Sequence, residues 1–229
     1  MGLILSIETA TSVCSVALHE HSGALVGIIE LFQDNVHGQK LMPVIEALLR
    51  QLGVDKDELD AVAVSKGPGS YTGLRIGVST AKGLAYALDI PLIGVDTLDA
   101  LARRALPFVG ATDILVPMID ARRMEVYCKV LDSQMQELVG LAPLIVDDNS
   151  FDTYLMAGKV FFLGDANEKV GQVIHHKNAV FAPFFNSAST VGELAVLRYK
   201  MEQFEDVAYF EPNYLKEFRV LKSKKMLLS

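Results

Sequence analysis

The densest run of chemistry-bearing residues is Lys66-Gly67-Pro68-Gly69-Ser70-Tyr71-Thr72-Gly73-Leu74-Arg75-Ile76-Gly77. Glycines ahead of a helix leave backbone N–H groups free to hold an anion. Gly69 and Ser70, with Glu8 and Thr9 of an acidic turn, are therefore a candidate nucleotide or anion site. The run is not a Walker A loop, because no Lys-Ser/Thr pair follows its last glycine. Nor is it a dinucleotide fingerprint, since Thr72 stands where the third glycine belongs. A tight strand-to-helix turn with Thr72 as N-cap explains the same residues. Glu8 and Asp120 suit carboxylates that hold a phosphate-bound metal across a cleft. However, Glu8-Thr9-Ala10-Thr11 lacks the Asp-x-Gly that lets phosphate approach.

A search for metal ligands and nucleophiles yields no set. Leu41 occupies the position four residues after His37, so this helix carries no His-x-x-x-His pair. His19 and His21 flank a turn, and the adjacent His175 and His176 point apart; all four read as surface residues. Cys14 and Cys128 lie far apart in apolar alternating runs, as buried thiols of a reducing cytosol do. No metal, cofactor or catalytic residue is expected.

The elements that must position these residues follow from periodicity. Leu3 to Ile7 is an apolar strand ending in an acidic turn. Cys14-Ser15-Val16-Ala17-Leu18 alternates, and Ala24 to Leu31 completes a three-stranded meander. A helix runs from about Gln39 to Leu52 and stops at Gly53. The strand Ala61 to Ser65, the glycine loop, a helix from Leu74 to Leu88, the strand Pro91 to Val95 and a helix capped by Thr97 complete a mixed sheet with helices. Met1-Gly2-Leu3-Ile4-Leu5-Ser6 fits a myristoylation pattern but reads as the start of that first buried strand.

The pattern then restarts. A shift of 112 positions places Glu8 on Asp120, and Cys14, Val16 and Leu18 on Val126, Cys128 and Val130. Apolar strand, acidic turn and alternating strand thus occur twice. Two related lobes are expected, residues 1–107 and residues 108–229, the second ending in a basic tail. That tail carries Lys216, Arg219, Lys222, Lys224 and Lys225 against Glu217, and it reads either as a solvated terminus or as a contact for nucleic acid or an acidic partner patch.

Composition excludes several classes. With 51% hydrophobic and 21% charged residues in 229, the chain is neither disordered nor a nucleic-acid-coating tail. A net charge of −7 makes the body a poor stand-alone binder of phosphate backbone. The N-terminus lacks a basic leader, and no run approaches the ~20 apolar residues of a membrane span. A soluble cytoplasmic protein is expected.

Two helices carry more apolar surface than one core face needs. In the second, Gly73, Gly77, Ala81 and Ala85 form a row at four-residue spacing. Interior glycines cost about 1 kcal/mol each against alanine, so close backbone approach must compensate. Met42 and Leu49 widen the stripe of the first helix; Leu74, Gly77, Val78 and Ala81 lie together on the second. These six residues are a candidate partner interface. A helix sandwiched inside its own fold is the alternative.

Ile7-Glu8-Thr9-Ala10-Thr11, the segment Gly67 to Gly77, Ile119-Asp120-Ala121-Arg122 and Pro212-Asn213-Tyr214-Leu215-Lys216 resemble the TsaB (YeaZ-type) family of bacterial tRNA threonylcarbamoyladenosine biosynthesis proteins. The resemblance covers the first ~130 residues and the tail. It implies an α/β, actin-like ATPase (ASKHA, RNase H-like) fold of two related lobes. It also implies a non-catalytic subunit of the complex that transfers threonylcarbamoyl to the tRNA adenosine beside the anticodon. The paralogue TsaD holds a metal through a His-x-x-x-His pair, of which this chain has only His37. Docking on TsaD through N-lobe helices, work alongside TsaE and TsaC, contact with tRNA through the complex and a homodimer of the isolated chain are the implied partnerships. An ATP-dependent sugar or acid kinase of the same fold and a glycoprotease-type metallopeptidase are the competing readings. The degenerate turn at Glu8 and the missing ligand pair count against them.

Overall fold

The structure is a computed structural model that describes residues 2–215. The five basic tail residues lie outside the described residues, so nothing structural bears on their expected contacts.

The meander forms as β1 (Leu3–Glu8), β2 (Val13–Glu20) and β3 (Leu25–Phe32), each antiparallel to the next. Helix α1 (His37–Leu52) leads to β4 (Leu59–Ser65), which pairs parallel with β1. Helix α2 (Tyr71–Leu88) leads to β5 (Leu92–Val95), and the sheet order is β3-β2-β1-β4-β5. The apolar run Ala61-Val62-Ala63-Val64 is wholly buried, as a parallel strand covered on both faces must be. Helix α3 (Thr97–Arg103) follows. Its cap is Asp96, not Thr97: Asp96 Oδ1 accepts from the N–H groups of Leu98 and Asp99, while Thr97 Oγ1 accepts from Gly67 N–H at 3.1 Å. Likewise α2 is capped by Ser70, not Thr72, and starts three residues earlier than its apolar periodicity implied.

The second sheet holds β6 (Ile114–Asp120), β7 (Glu125–Asp132), β8 (Glu137–Ile145), β9 (Val160–Leu163) and β10 (Ala179–Ala182). Its order, β8-β7-β6-β9-β10, repeats the first. The expected actin-like architecture of two related lobes is what the structure shows. Helices α4 (Asp152–Ala157) and α5 (Asn167–Gly171) occupy the places of α1 and α2 but are only 6 and 5 residues long.

One detail of the expected duplication is corrected by register. Leu5 opposite Leu18 and Ile7 opposite Val16 face α1 and α2 in the first core. Their structural counterparts facing α4 and α5 are Val116, Met118, Cys128 and Val130, with Met118 opposite Cys128. The second strands keep the expected offset, while the first strands are offset by one residue less. Glu8, opposite Ser15, therefore corresponds to Ile119, opposite Tyr127, and Asp120 lies one position further on. Since strand side chains alternate, that single residue turns the two carboxylates to opposite faces.

Helix α6 (Ala188–Lys200) returns to the first sheet, where Val191, Ala195 and Val196 pack on Ile4, Ala63 and Ile93. Residues 205–214 follow it there, with Glu205 bridging to Leu92. Division at residue 107 separates the two sheets, but the chain from Ala188 onward packs with the first. His19, expected at the surface, is also buried there. Its imidazole fills the space left by Gly192 of α6, and burial lowers its pKa.

Candidate functional site

The glycine loop meets the chain's own β1–β2 turn. A Cβ at Gly69 would stand 2.6 Å from Ala10 O, and Cβ atoms at Gly73 and Gly77 would collide with Thr9 O and Thr9 Oγ1. Ser70 N–H donates to Ala10 O at 2.7 Å, and Thr9 Oγ1–H donates to Gly73 O at 2.9 Å. The glycines thus let helix backbone touch turn backbone, which offsets their cost within the helix. Gly73 N–H is taken by Ser70 Oγ at 3.3 Å, and Gly67 is pressed by Asn213 O. The expectation of an anion cradle at Gly69, Ser70, Glu8 and Thr9 is corrected accordingly: the space is filled by Thr9 and Ala10.

Glu8 lies beneath this contact with no exposed surface. Its Oε1 accepts from Ala10 N–H (2.5 Å) and Ser65 Oγ–H (2.9 Å), while Oε2 is buried without a hydrogen-bond partner among the described residues. Burial outweighs those bonds and pushes its pKa up to about 7. In this arrangement the Glu8 carboxyl is sealed from solvent by the β1–β2 turn and the α2 glycines. Asp120 is exposed instead, bonded by Lys169 Nζ at 2.6 Å and by Arg122 N–H. Its neighbour Asp165 accepts from Asp120 N–H and is raised in pKa by burial.

His37, the lone histidine of α1, is buried with Nε2 3.2 Å from Val13 O. A carbonyl can only accept, so Nε2 carries the proton and that nitrogen is spent.

Of the six candidate interface residues, Leu49, Leu74, Gly77, Val78 and Ala81 are buried, and four of them, Leu49, Leu74, Val78 and Ala81, retain at most 8% of their surface. This corrects the expectation that they face a partner. Helical periodicity locates an apolar arc but not which element covers it, and here the first sheet and the β1–β2 turn do. Met42 alone is exposed, at 40%. What α2 does show to solvent is a different, uncharged row: Thr72, Ile76, Thr80, Gly83 and Ala87, each exposed or half-buried. Ile76 lies 3.7 Å from where a Cβ on Gly38 would stand, so the row runs on to the exposed flank of α1.

The polar strip of α2 is engaged by residues 205–214. Lys82 Nζ donates to Ala208 O and Phe210 O, Arg75 Nε to Tyr214 Oη at 3.1 Å, and Asn213 N–H to Lys66 O at 2.7 Å. Sequence reasoning missed this strap, for which no local pattern exists. It also missed Lys129, a single lysine within Val126-Tyr127-Cys128-Lys129-Val130. Its Nζ lies 2.9 Å from Asp99, 3.3 Å from Asp96 and 3.6 Å from Glu137. Burial pulls the Lys129 pKa down, but Asp96 and Asp99 outweigh it and keep the ammonium charged. This cluster joins β7 of the second sheet to the N-terminus of α3. A lysine inside an alternating apolar strand was the available signal.

A sequence profile for TsaD, tRNA N6-adenosine threonylcarbamoyltransferase, matches residues 15–225. The chain is 43% identical over 124 residues to the tRNA threonylcarbamoyladenosine biosynthesis protein TsaB of Escherichia coli, covering 54% of this chain and 52% of that protein. It is 39% identical over the same length to TsaB of Bacillus subtilis. The chain thus matches about half the length of these curated relatives. YeaZ from Pseudomonas aeruginosa superposes with a TM-score of 0.80 at 30% identity, over 94% of this chain and all of that one.

Proposed function

The chain belongs to the TsaB (YeaZ) family within the group described by the TsaD profile, and from that premise we propose that it is a non-catalytic partner subunit in tRNA threonylcarbamoyladenosine synthesis. In this reading it docks on TsaD, works beside TsaE and TsaC, and meets tRNA through the assembled complex in the cytoplasm. No helix among the described residues is long and apolar enough to cross a membrane, which fits a soluble role.

The observation that carries the proposal is the pairing of a filled cleft with an open helix face. Thr9 and Ala10 pack directly against Gly69, Gly73 and Gly77, above the buried Glu8 whose pKa burial raises to about 7. Beside them, α2 presents Thr72, Ile76, Thr80, Gly83 and Ala87 without a charge. Small and uncharged residues along a helix permit close helix-to-helix packing. The interface therefore shifts from the buried Ala81 row to this row, with Met42 at its edge.

Gly83 gives a clean test, because a Cβ there meets nothing within 4 Å. Gly83→Arg leaves the chain's own packing untouched and places a charge in the centre of the proposed contact. Circular dichroism of the variant should match wild type, and its affinity for TsaD should fall at least a hundredfold. Sedimentation of the isolated chain reports in parallel whether the same face makes a homodimer. Unchanged TsaD affinity removes this face as the interface. Wild type that fails to bind TsaD removes the proposal.

A further inference from the structure

The connection leaving the first lobe and the connection returning to it border a solvent-open cavity of about 390 Å³, lined by Arg103, Arg104, Phe108, Phe184, Thr190 and Glu193 among others. It lies apart from the helix pair and from the glycine loop, and nothing in the reading above uses it. Its chemistry is unusual for an acidic protein. Arg103 is neutralised, with Nε 2.7 Å from Glu193 Oε2. Arg104 is not: among the described residues it has no ion pair, and its Nη1 is buried without a hydrogen-bond partner. The guanidinium carbon sits over the Phe185 ring, 4.3 Å from its centroid, a contact that helps to hold the group in place. Arg104 lines the pocket without a carboxylate partner, and a guanidinium fork selects a planar or tetrahedral oxyanion.

The lining is also aromatic. Phe108 and Phe184 lie 5.4 Å apart at 35°, and Phe108 is 66% exposed. An apolar ring kept in water beside an unbalanced cation matches a ligand that has a flat ring at one end and an anion at the other. The volume is within the range of small-molecule sites. Cation plus exposed ring is also the combination by which proteins hold an unpaired base and its phosphate.

We propose that this cavity binds one nucleotide, its phosphate on Arg104 and its base against Phe108 and Phe184. A single unbalanced arginine on a body of net charge −7 limits the site to one phosphate, so recognition is of a lone or unstacked nucleotide rather than a duplex. Free mononucleotide and an unpaired nucleotide of an RNA strand share this chemistry. The proposal does not depend on docking to TsaD.

The test is calorimetric titration of the full chain with AMP, adenosine, inorganic phosphate and a single-stranded pentanucleotide RNA. The panel is repeated on Arg104→Gln, Arg104→Lys and Phe108→Ala. Phe108 is largely exposed, so its replacement leaves folding intact even if an arginine variant disturbs α3. The expected result is that AMP or the RNA binds, and adenosine and phosphate bind at least tenfold more weakly. Arg104→Gln should lower affinity at least tenfold, Arg104→Lys should restore it only partly, and Phe108→Ala should lower it about fivefold. Binding of RNA without AMP assigns the strand as the source, and the reverse assigns the free nucleotide; both support the site. Phosphate binding as tightly as AMP, with Phe108→Ala silent, overturns it in favour of a plain anion site. No binding of any probe overturns it outright.

Discussion

The two lobes share a strand order, yet the same corner of each has opposite chemistry. At the end of β1, Glu8 is sealed under the α2 glycines and holds its proton to about pH 7. At the end of β6, Asp120 stands one register position further and is a solvated ion-pair partner of Lys169. The crossover helices differ in parallel. Helices α1 and α2 have 16 and 18 residues and build a thick layer over the first sheet, whereas α4 and α5 have 6 and 5. In the first lobe a long helix pressed onto the hairpin turn closes the cleft-side corner and leaves an outer helix face for other contacts. In the second, short helices leave the corresponding corner open to water. Duplicated topology therefore does not imply duplicated chemistry, because one residue of register and one helix length decide whether a carboxylate is buried.

The strongest way to break this contrast is to deny α2 its close approach. Gly73→Val would drive side-chain atoms into the backbone carbonyl of Thr9, which cannot yield, and should destabilise the chain by about 4 kcal/mol or more. In the second lobe a Cβ on Gly171 meets the Phe181 ring at an ordinary 3.7 Å, so Gly171→Ala should change stability by less than about 0.5 kcal/mol. Urea unfolding of both variants measures the pair. Equal effects would mean that the first corner is not tightly packed.

The joint between the lobes comes next. Lys129→Met strands Asp96 and Asp99 beside an apolar side chain, and a loss of about 3 kcal/mol is expected. Adding Asp96→Asn and Asp99→Asn should recover part of it. If the triple variant is no more stable than Lys129→Met alone, the cluster is not the joint.

Glu8 sharpens the contrast through pH. Its folded pKa is raised, so its proton is retained below about pH 4.5 in both states at no differential cost. As pH rises from there to about 7, the unfolded chain ionises and the folded chain does not. Stability falls across that window by about 3 kcal/mol, and the loss is complete above it. Glu8→Gln should remove this slope and be the more stable protein at pH 8. Asp120→Asn, which loses only an exposed ion pair, should cost less than about 1 kcal/mol. A wild-type stability curve that is flat from pH 5 to 8, with Glu8→Gln no more stable, would refute the buried-acid assignment.

The cysteines give the smallest effect. Burial raises Cys14 and pushes Cys128 up to about 11, one thiol in each lobe. Both should resist iodoacetamide at pH 8 in the folded protein and react together on denaturation. Early labelling of Cys128 alone would show the second lobe opening independently.

Much of the candidate site was legible because its signals are local. The glycines at four-residue spacing announced a close backbone approach, and the missing partner for His37 excluded a histidine metal pair. What filled the approach was not legible, since Thr9 and Asn213 come from segments far from Gly73 and Gly67 in the chain. The surplus apolar arc of α2 was read correctly as an arc and misassigned as a surface. Leu74, Val78 and Ala81 face the chain's own sheet, and the exposed row lies at Thr72, Ile76, Thr80, Gly83 and Ala87.

Sequence pattern alone settled the order of strands and helices in the first lobe, the recurrence of its first two strands and the absence of a dinucleotide or Walker loop. Periodicity and turn chemistry act over a few residues and need no partner. Tertiary structure alone decided that burial raises the Glu8 pKa, that Lys129 joins the lobes, that α6 returns to the first sheet and that Arg104 lines a cavity without an ion pair among the described residues. Each of these depends on which distant element lies against a residue. Burial, and with it charge state and hydrogen bonding, is a property of that contact and not of the residue.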